Sequence, residues 1–278
     1  MPRAYSLVRQ QPWYRREAFS AGLRATGFDV VEGSVGPGKP GDLLLIWSRY
    51  GSNHELAARF EAAGGTVLVA ENGYLGAGGT SPKFDVHPGG PKPEHYYALA
   101  VGGHNGQGSW PTGGPERWAR LGIALKPWRT DGDHVLVLPN RPFGVPGRAM
   151  PSGWAESAAE RLRAETKRPV RIRSHPGNDA PARPLSADLE GAWAAVVWSS
   201  NAGLHALVAG IPTFCEAPFW VAKGASAFGT VDEPMVSDRL HVFERLAWAQ
   251  WQIGEIEKGT PFAHLLSAAG QGAIAAHP

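Results

Sequence analysis

Residues 196–214 read VVWSSNAGLHALVAGIPTF, an apolar run, then two serines, an asparagine and a glycine, then a helical pattern leading into a second apolar run. Small hydroxyl and glycine residues between a strand and a helix expose the first backbone N–H groups of the helix. Their partial positive charge suits an anion such as a phosphate. Ser199, Ser200, Asn201 and Gly203 are thus candidates to hold one. Arg173 and His175, in RIRSHPG, follow another apolar run. A guanidinium there would stabilise the charge of a departing phosphate, with no metal required. Taken alone, such serines also cap helices and such a histidine also sits in turns. Lys223, in the loop FWVAKGASAFG, is a further cation for a phosphate or a base.

The first half of the chain offers proton acceptors. Glu71 in AENGYLG stands at the end of an apolar run, and His104 lies in GGHNG. Transfer onto a hydroxyl with inversion needs a carboxylate or imidazole to take its proton, with Glu71 the first candidate and His104 the second. With retention no such base is compulsory, and Glu71 then holds a hydroxyl or a loop. The segment RQQPWYRREAF interleaves Arg15 and Arg16 with Trp13, and Arg49 follows the next apolar run. Cations for phosphate and rings for stacking fit a nucleic acid, although the same run also reads as a helix with one solvated face.

These residues need strand ends and helix starts to place them. Apolar runs at 4–8, 28–31, 42–47 and 66–70 alternate with helical patterns over 14–25 and 53–63. After a glycine- and proline-rich tract, 73–93, and a run at 96–106, the rhythm resumes with runs at 134–139, 169–173, 193–198 and 211–216. Helical patterns there cover 154–166, 187–192 and the stretch after Ser200. This rhythm predicts an α/β protein with parallel, doubly wound sheets. The expected organisation is two Rossmann-like domains facing across a cleft, an acceptor-side domain over 1–128 and a donor-side domain over 129–236. Helices over 237–278 are expected to pack back across both.

The 278 residues, 43% of them hydrophobic, suffice for two cores, and the single cysteine, Cys215, excludes an internal disulfide. A formal charge of +2 permits a nucleic-acid partner without demanding one. No apolar run of membrane-spanning length and no signal-peptide pattern is present, so a cytoplasmic protein is expected, in the host cytoplasm if phage-encoded.

Residues 171–214 resemble the donor half of GT-B nucleotide-sugar glycosyltransferases, in particular capsule and lipopolysaccharide enzymes and phage DNA glycosyltransferases. The resemblance rests on Arg173, His175 and Pro176, on Ser199, Ser200, Asn201 and Gly203, and on His205, Ala206, Leu207, Gly210 and Pro212. It implies that these residues enclose the donor. Many relatives carry a glutamate where His205 stands, a position that contacts sugar or ribose hydroxyls, so donor identity does not carry over. The resulting expectation is sugar transfer from a nucleotide sugar, a UDP-sugar first, to 5-hydroxymethylpyrimidine in phage DNA. In that reading Trp13, Arg15, Arg16 and Arg49 touch the acceptor. The alternatives are a bacterial capsule or lipopolysaccharide glycan as acceptor, or a non-enzymatic nucleotide-sugar-binding protein.

Overall fold

The computed structural model describes residues 1–11, 14–75, 96–145, 147–175 and 183–269. The chain divides into two compact units, the first formed by Met1–Leu121 together with the chain from Glu244 on, the second by Gly122–Phe243. The divisions fall at 121/122 and 243/244, not at the expected 128/129 and 236/237. Among the described residues no helix is long and apolar enough to cross a membrane.

In the first unit, β1 (Arg3–Ser6), α1 (Arg16–Ala25), β2 (Asp29–Glu32), β3 (Leu43–Trp47), α2 (Ser52–Ala62) and β4 (Thr66–Asn72) follow the strand–helix rhythm read from the sequence. Then come β5 (Tyr96–Val101) and α3 (Glu116–Leu121). Leu43–Ile46 of β3 are buried to 1% exposure or less, as a central strand covered on both faces must be. Tyr5, Leu44, Ile46, Phe60, Val67 and Val69 form a core cluster with Ala57 of α2.

The second unit is built on a four-stranded, all-parallel sheet. It contains β6 (His134–Leu138), α4 (Trp154–Glu165), β7 (Val170–Ile172), α5 (Leu185–Leu189), β8 (Ala192–Val197), α6 (Ala202–Val208) and β9 (Thr213–Cys215). Its strand order is β7-β6-β8-β9, with the short hairpin β10 (Phe228–Gly229) and β11 (Pro234–Met235) beside it in sequence. Val135, Val137, Ala194 and Val196 pack against Trp154, Ala158 and Leu162 of α4. Gly210 takes φ +78° where a Cβ would stand 2.0 Å from the Pro127 carbonyl oxygen, so the Gly-Ile-Pro turn requires glycine.

The C-terminal segment departs from expectation. Besides the expected helices, α7 (Leu240–Ala247), α8 (Ile253–Glu257) and α9 (Thr260–Ala269), it contains a strand, β12 (Gln250–Gln252). β12 pairs antiparallel with β5, which itself pairs antiparallel with β4. The six-stranded sheet, ordered β12-β5-β4-β3-β1-β2, is therefore mixed, not wholly parallel. A three-residue strand carries almost no periodic signal, and here β5 supplies its hydrogen bonds.

Two close contacts hold this segment. On α1, a Cβ at Gly22 would lie 1.8 Å from the Ile256 carbonyl oxygen, so only glycine admits α8 at that distance. From α3, Arg117, 7% exposed, donates to the Ala247 carbonyl at 3.1 Å, to the Gln250 carbonyl at 2.7 Å and to both Glu255 oxygens at 2.8 and 3.1 Å. Its guanidinium also lies 3.9 Å from the Trp251 ring centroid. Burial alone would raise the Glu255 carboxyl, but the hydrogen bonds from Arg117 and from the Gln252 N–H bring it below its ordinary value. Replacing Arg117 by Ala should destabilise the first unit by about 3 kcal/mol, measured by urea denaturation, because buried acceptors lose their donor. Arg117→Lys should recover little, since one ammonium cannot reproduce the fork. Because the folded Glu255 carboxyl is depressed, its contribution is present above the unfolded value of 4.5 and is lost as pH falls through the folded one. That acid sensitivity should shrink in Arg117→Ala.

Candidate functional site

In the second unit, three neighbouring parallel strands deliver polar residues to their shared carboxyl edge. β6 ends into Asn140 and Arg141, β7 into Arg173 and His175, and β8 into Ser199 and Ser200. Asn140 and Ser199 bracket each other, the Asn140 amide donating to Ser199 Oγ at 2.8 Å and the Ser199 N–H to Asn140 Oδ1 at 3.1 Å. Arg173 donates to Asp188 Oδ2 at 2.7 Å and to the Arg183 carbonyl at 2.9 Å, so α5 fixes its guanidinium. His175 is held below its ordinary pKa by burial and by the charges of Arg141 and Arg173. The cluster is thus a concentration of positive potential around an imidazole kept neutral.

The turn itself is more closed than the sequence predicts. The Ala202 N–H donates to Ser200 Oγ at 3.3 Å, the Gly203 N–H to the Ser200 carbonyl and the Leu204 N–H to the Asn201 carbonyl, each at 3.0 Å. These donors at the start of α6 are used internally. Asn201 is exposed at the helix start. Gly203 serves packing, since a Cβ there would lie 2.8 Å from Trp220 and 2.9 Å from Val197. His205, one turn into α6, is lowered by burial. Lys223 donates to the Cys215 and Ala217 carbonyls, 2.9 Å each, and so ties down the chain after β9. Pro176 lies outside the described residues.

In the first unit, Glu71 and His104 come together. Glu71 lies at the carboxyl end of β4 as expected, its penultimate residue, opposite Ala98 of β5. One carboxylate oxygen accepts from Ser48 Oγ at 2.7 Å and the other from the Asn72 N–H at 2.9 Å. The loop after β5 folds back, so that the Asn105 N–H donates to the Tyr74 hydroxyl at 3.1 Å. This brings the neighbouring His104 into the field of Glu71. Burial lowers His104, and the Glu71 charge partly offsets that. Tyr74, 3% exposed, is pushed up to about 12 by burial and stays protonated.

Of the arginines expected to meet an acceptor, Arg16 and Arg49 have carboxylate partners within the chain. Arg16 pairs with Glu32. Arg49 forms a fork on Glu61 at 2.7 and 2.6 Å and reaches the Gly102 carbonyl, which helps fold back the loop carrying His104. Arg15 opens α1 at φ +51°, and its charge acts on Tyr97. Trp13 lies outside the described residues. Sequence reasoning missed Asn140, Arg141, Ser48 and Tyr74 as site residues. Asn140 and Arg141, in LPNRP, follow an apolar run just as Arg173 does, so the same rule could have found them.

The Glu71–His104 pairing makes a measurable demand. His104 should titrate below 6.5 by NMR, and Glu71→Gln should lower it further by removing the one charge that supports the imidazolium. A titration unmoved by that substitution would separate the two residues.

No family model matches the chain, and no curated protein matches it. Among solved structures it is similar to the Thermosulfurimonas dismutans KpsC beta Kdo 2,7 transferase, with a TM-score of 0.54 and 14% identity over 94% of this chain and 99% of that one. It is likewise similar to the beta Kdo 2,4 transferase of the same KpsC, with a TM-score of 0.57 and 14% identity over 92% and 98%. At 14% identity the likeness is one of fold, shared with these two transferase structures over nearly the whole of each chain.

Proposed function

We propose that the chain is a glycosyltransferase of bacterial surface-glycan synthesis, moving a sugar from a nucleotide-activated donor to a hydroxyl of a growing glycan. The observation that carries this reading is the shared fold with two KpsC Kdo transferases across more than nine tenths of both chains. The cluster of the second unit supports it, because the Arg141 and Arg173 guanidinium groups beside His175 suit the phosphate of a leaving nucleotide. The cluster of the first unit supplies the proton acceptor, with Glu71 taking the hydroxyl proton and His104 beside it.

A glycan acceptor replaces hydroxymethylated DNA as the first reading. The solved relatives give DNA no support. The donors to compare are the UDP-sugars anticipated from the sequence and a nucleotide-activated Kdo.

Labelled donors should transfer sugar to a Kdo-bearing glycan and not to hydroxymethylated DNA. Label on DNA alone would restore the discarded acceptor, and binding with neither transfer nor donor hydrolysis would make the chain a binding protein. Glu71→Gln should lower turnover by about a hundredfold with donor binding nearly intact. In the second unit, inorganic pyrophosphate should raise the His175 titration observed by NMR, because an anion offsets the arginine charges that now depress it.

A further inference from the structure

Ser48 adopts φ +67°, a left-handed conformation that is uncommon for residues other than glycine, and it is 6% exposed. It is the residue at which the chain leaves β3 for α2, and Gly51, three residues on, also takes positive φ at +55°. Glycine would satisfy such a turn with no Cβ strain, yet a serine stands there. Its surroundings give the reason. The Ser48 N–H donates to the Ala70 carbonyl at 3.1 Å, and its carbonyl accepts from the Asn53 amide at 3.2 Å, so the backbone is fixed on both sides. The left-handed turn then directs the hydroxyl to Glu71 Oε2 at 2.7 Å, while the Asn72 N–H takes Oε1. With one donor on each oxygen, the plane of the carboxylate is set.

We propose that Ser48 is a positioning residue for the proton-accepting carboxylate of Glu71, its strained backbone retained because the hydroxyl must reach Oε2. The strain is a cost that turn formation alone does not require. This inference rests on the reading of Glu71 as the base of a sugar transfer, and its test has one arm that does not.

Ser48→Gly and Ser48→Ala both remove the hydroxyl, but only the glycine relieves the backbone. Both should lower kcat by about tenfold with the donor KM unchanged, while the thermal midpoint of Ser48→Ala falls below that of Ser48→Gly. Full kcat in Ser48→Gly, or a kcat that follows the thermal midpoints of the two variants, would overturn the proposal and leave Ser48 a turn residue. The independent arm measures the order of the Glu71 side chain in the free protein by carbon-13 relaxation. Order should drop in Ser48→Gly, and unchanged order overturns the proposal whatever the enzyme does. If no donor is turned over by the unsubstituted protein while Glu71 loses order in the variant, the functional reading fails and the positioning stands.

Discussion

The first unit depends on how one buried guanidinium is satisfied. A buried guanidinium needs acceptors around it, and for Arg117 these come from the C-terminal segment as the Ala247 and Gln250 carbonyls and Glu255. Capturing them places β12 on the edge of the six-stranded sheet and turns the Gln250 side chain inward, where it is fully buried. Gln250 Oε1 accepts from the Tyr74 and Leu75 N–H groups, 2.9 Å each. Tyr74 in turn receives Asn105, beside His104. A series of hydrogen bonds thus runs from α3 through the C-terminal segment to the backbone of Asn105, the residue after His104. Residues more than a hundred positions away in sequence set the local geometry of the candidate base.

The second unit solves a different electrostatic problem. Its polar residues arrive on three adjacent parallel strands, so their positions follow from sheet order and need no distant tie. The difficulty is to keep cations together, and Asp188 on α5 lies between two of them, at 2.7 Å from Arg173 and 3.6 Å from Arg183. His175 beside them is held below its ordinary pKa by burial and by the charges of Arg141 and Arg173. An imidazole held neutral by surrounding positive charge becomes easier to protonate when an anion enters, which ties the state of His175 to occupancy.

The two clusters also differ in how rigidly they are built. Glu71 sits within a strand, with a donor on each oxygen and a strained serine behind one of them. The loop carrying His104 is braced at the Gly102 carbonyl by Arg49 and at Asn105 by Tyr74. Fixed hydrogen bonds of this kind let a base hold its geometry before substrate arrives.

By itself the sequence determined the α/β class, most of the parallel strands, and the strand ends at which Glu71, Arg173, His175 and Ser199 stand, because these follow from local periodicity and from small residues at strand-to-helix turns. The close grouping of Glu71 with His104 was not legible, since it needs a loop folded back by Arg49 and Tyr74. Arg16 and Arg49 read as free cations because a sequence shows a charge without its partner, and only the folded chain brings Glu32 and Glu61 to them. The strand β12 was hidden for the same reason. Its three residues have no pattern of their own, and tertiary structure alone decided it, through the hydrogen bonds of β5 and the unsatisfied donors of Arg117.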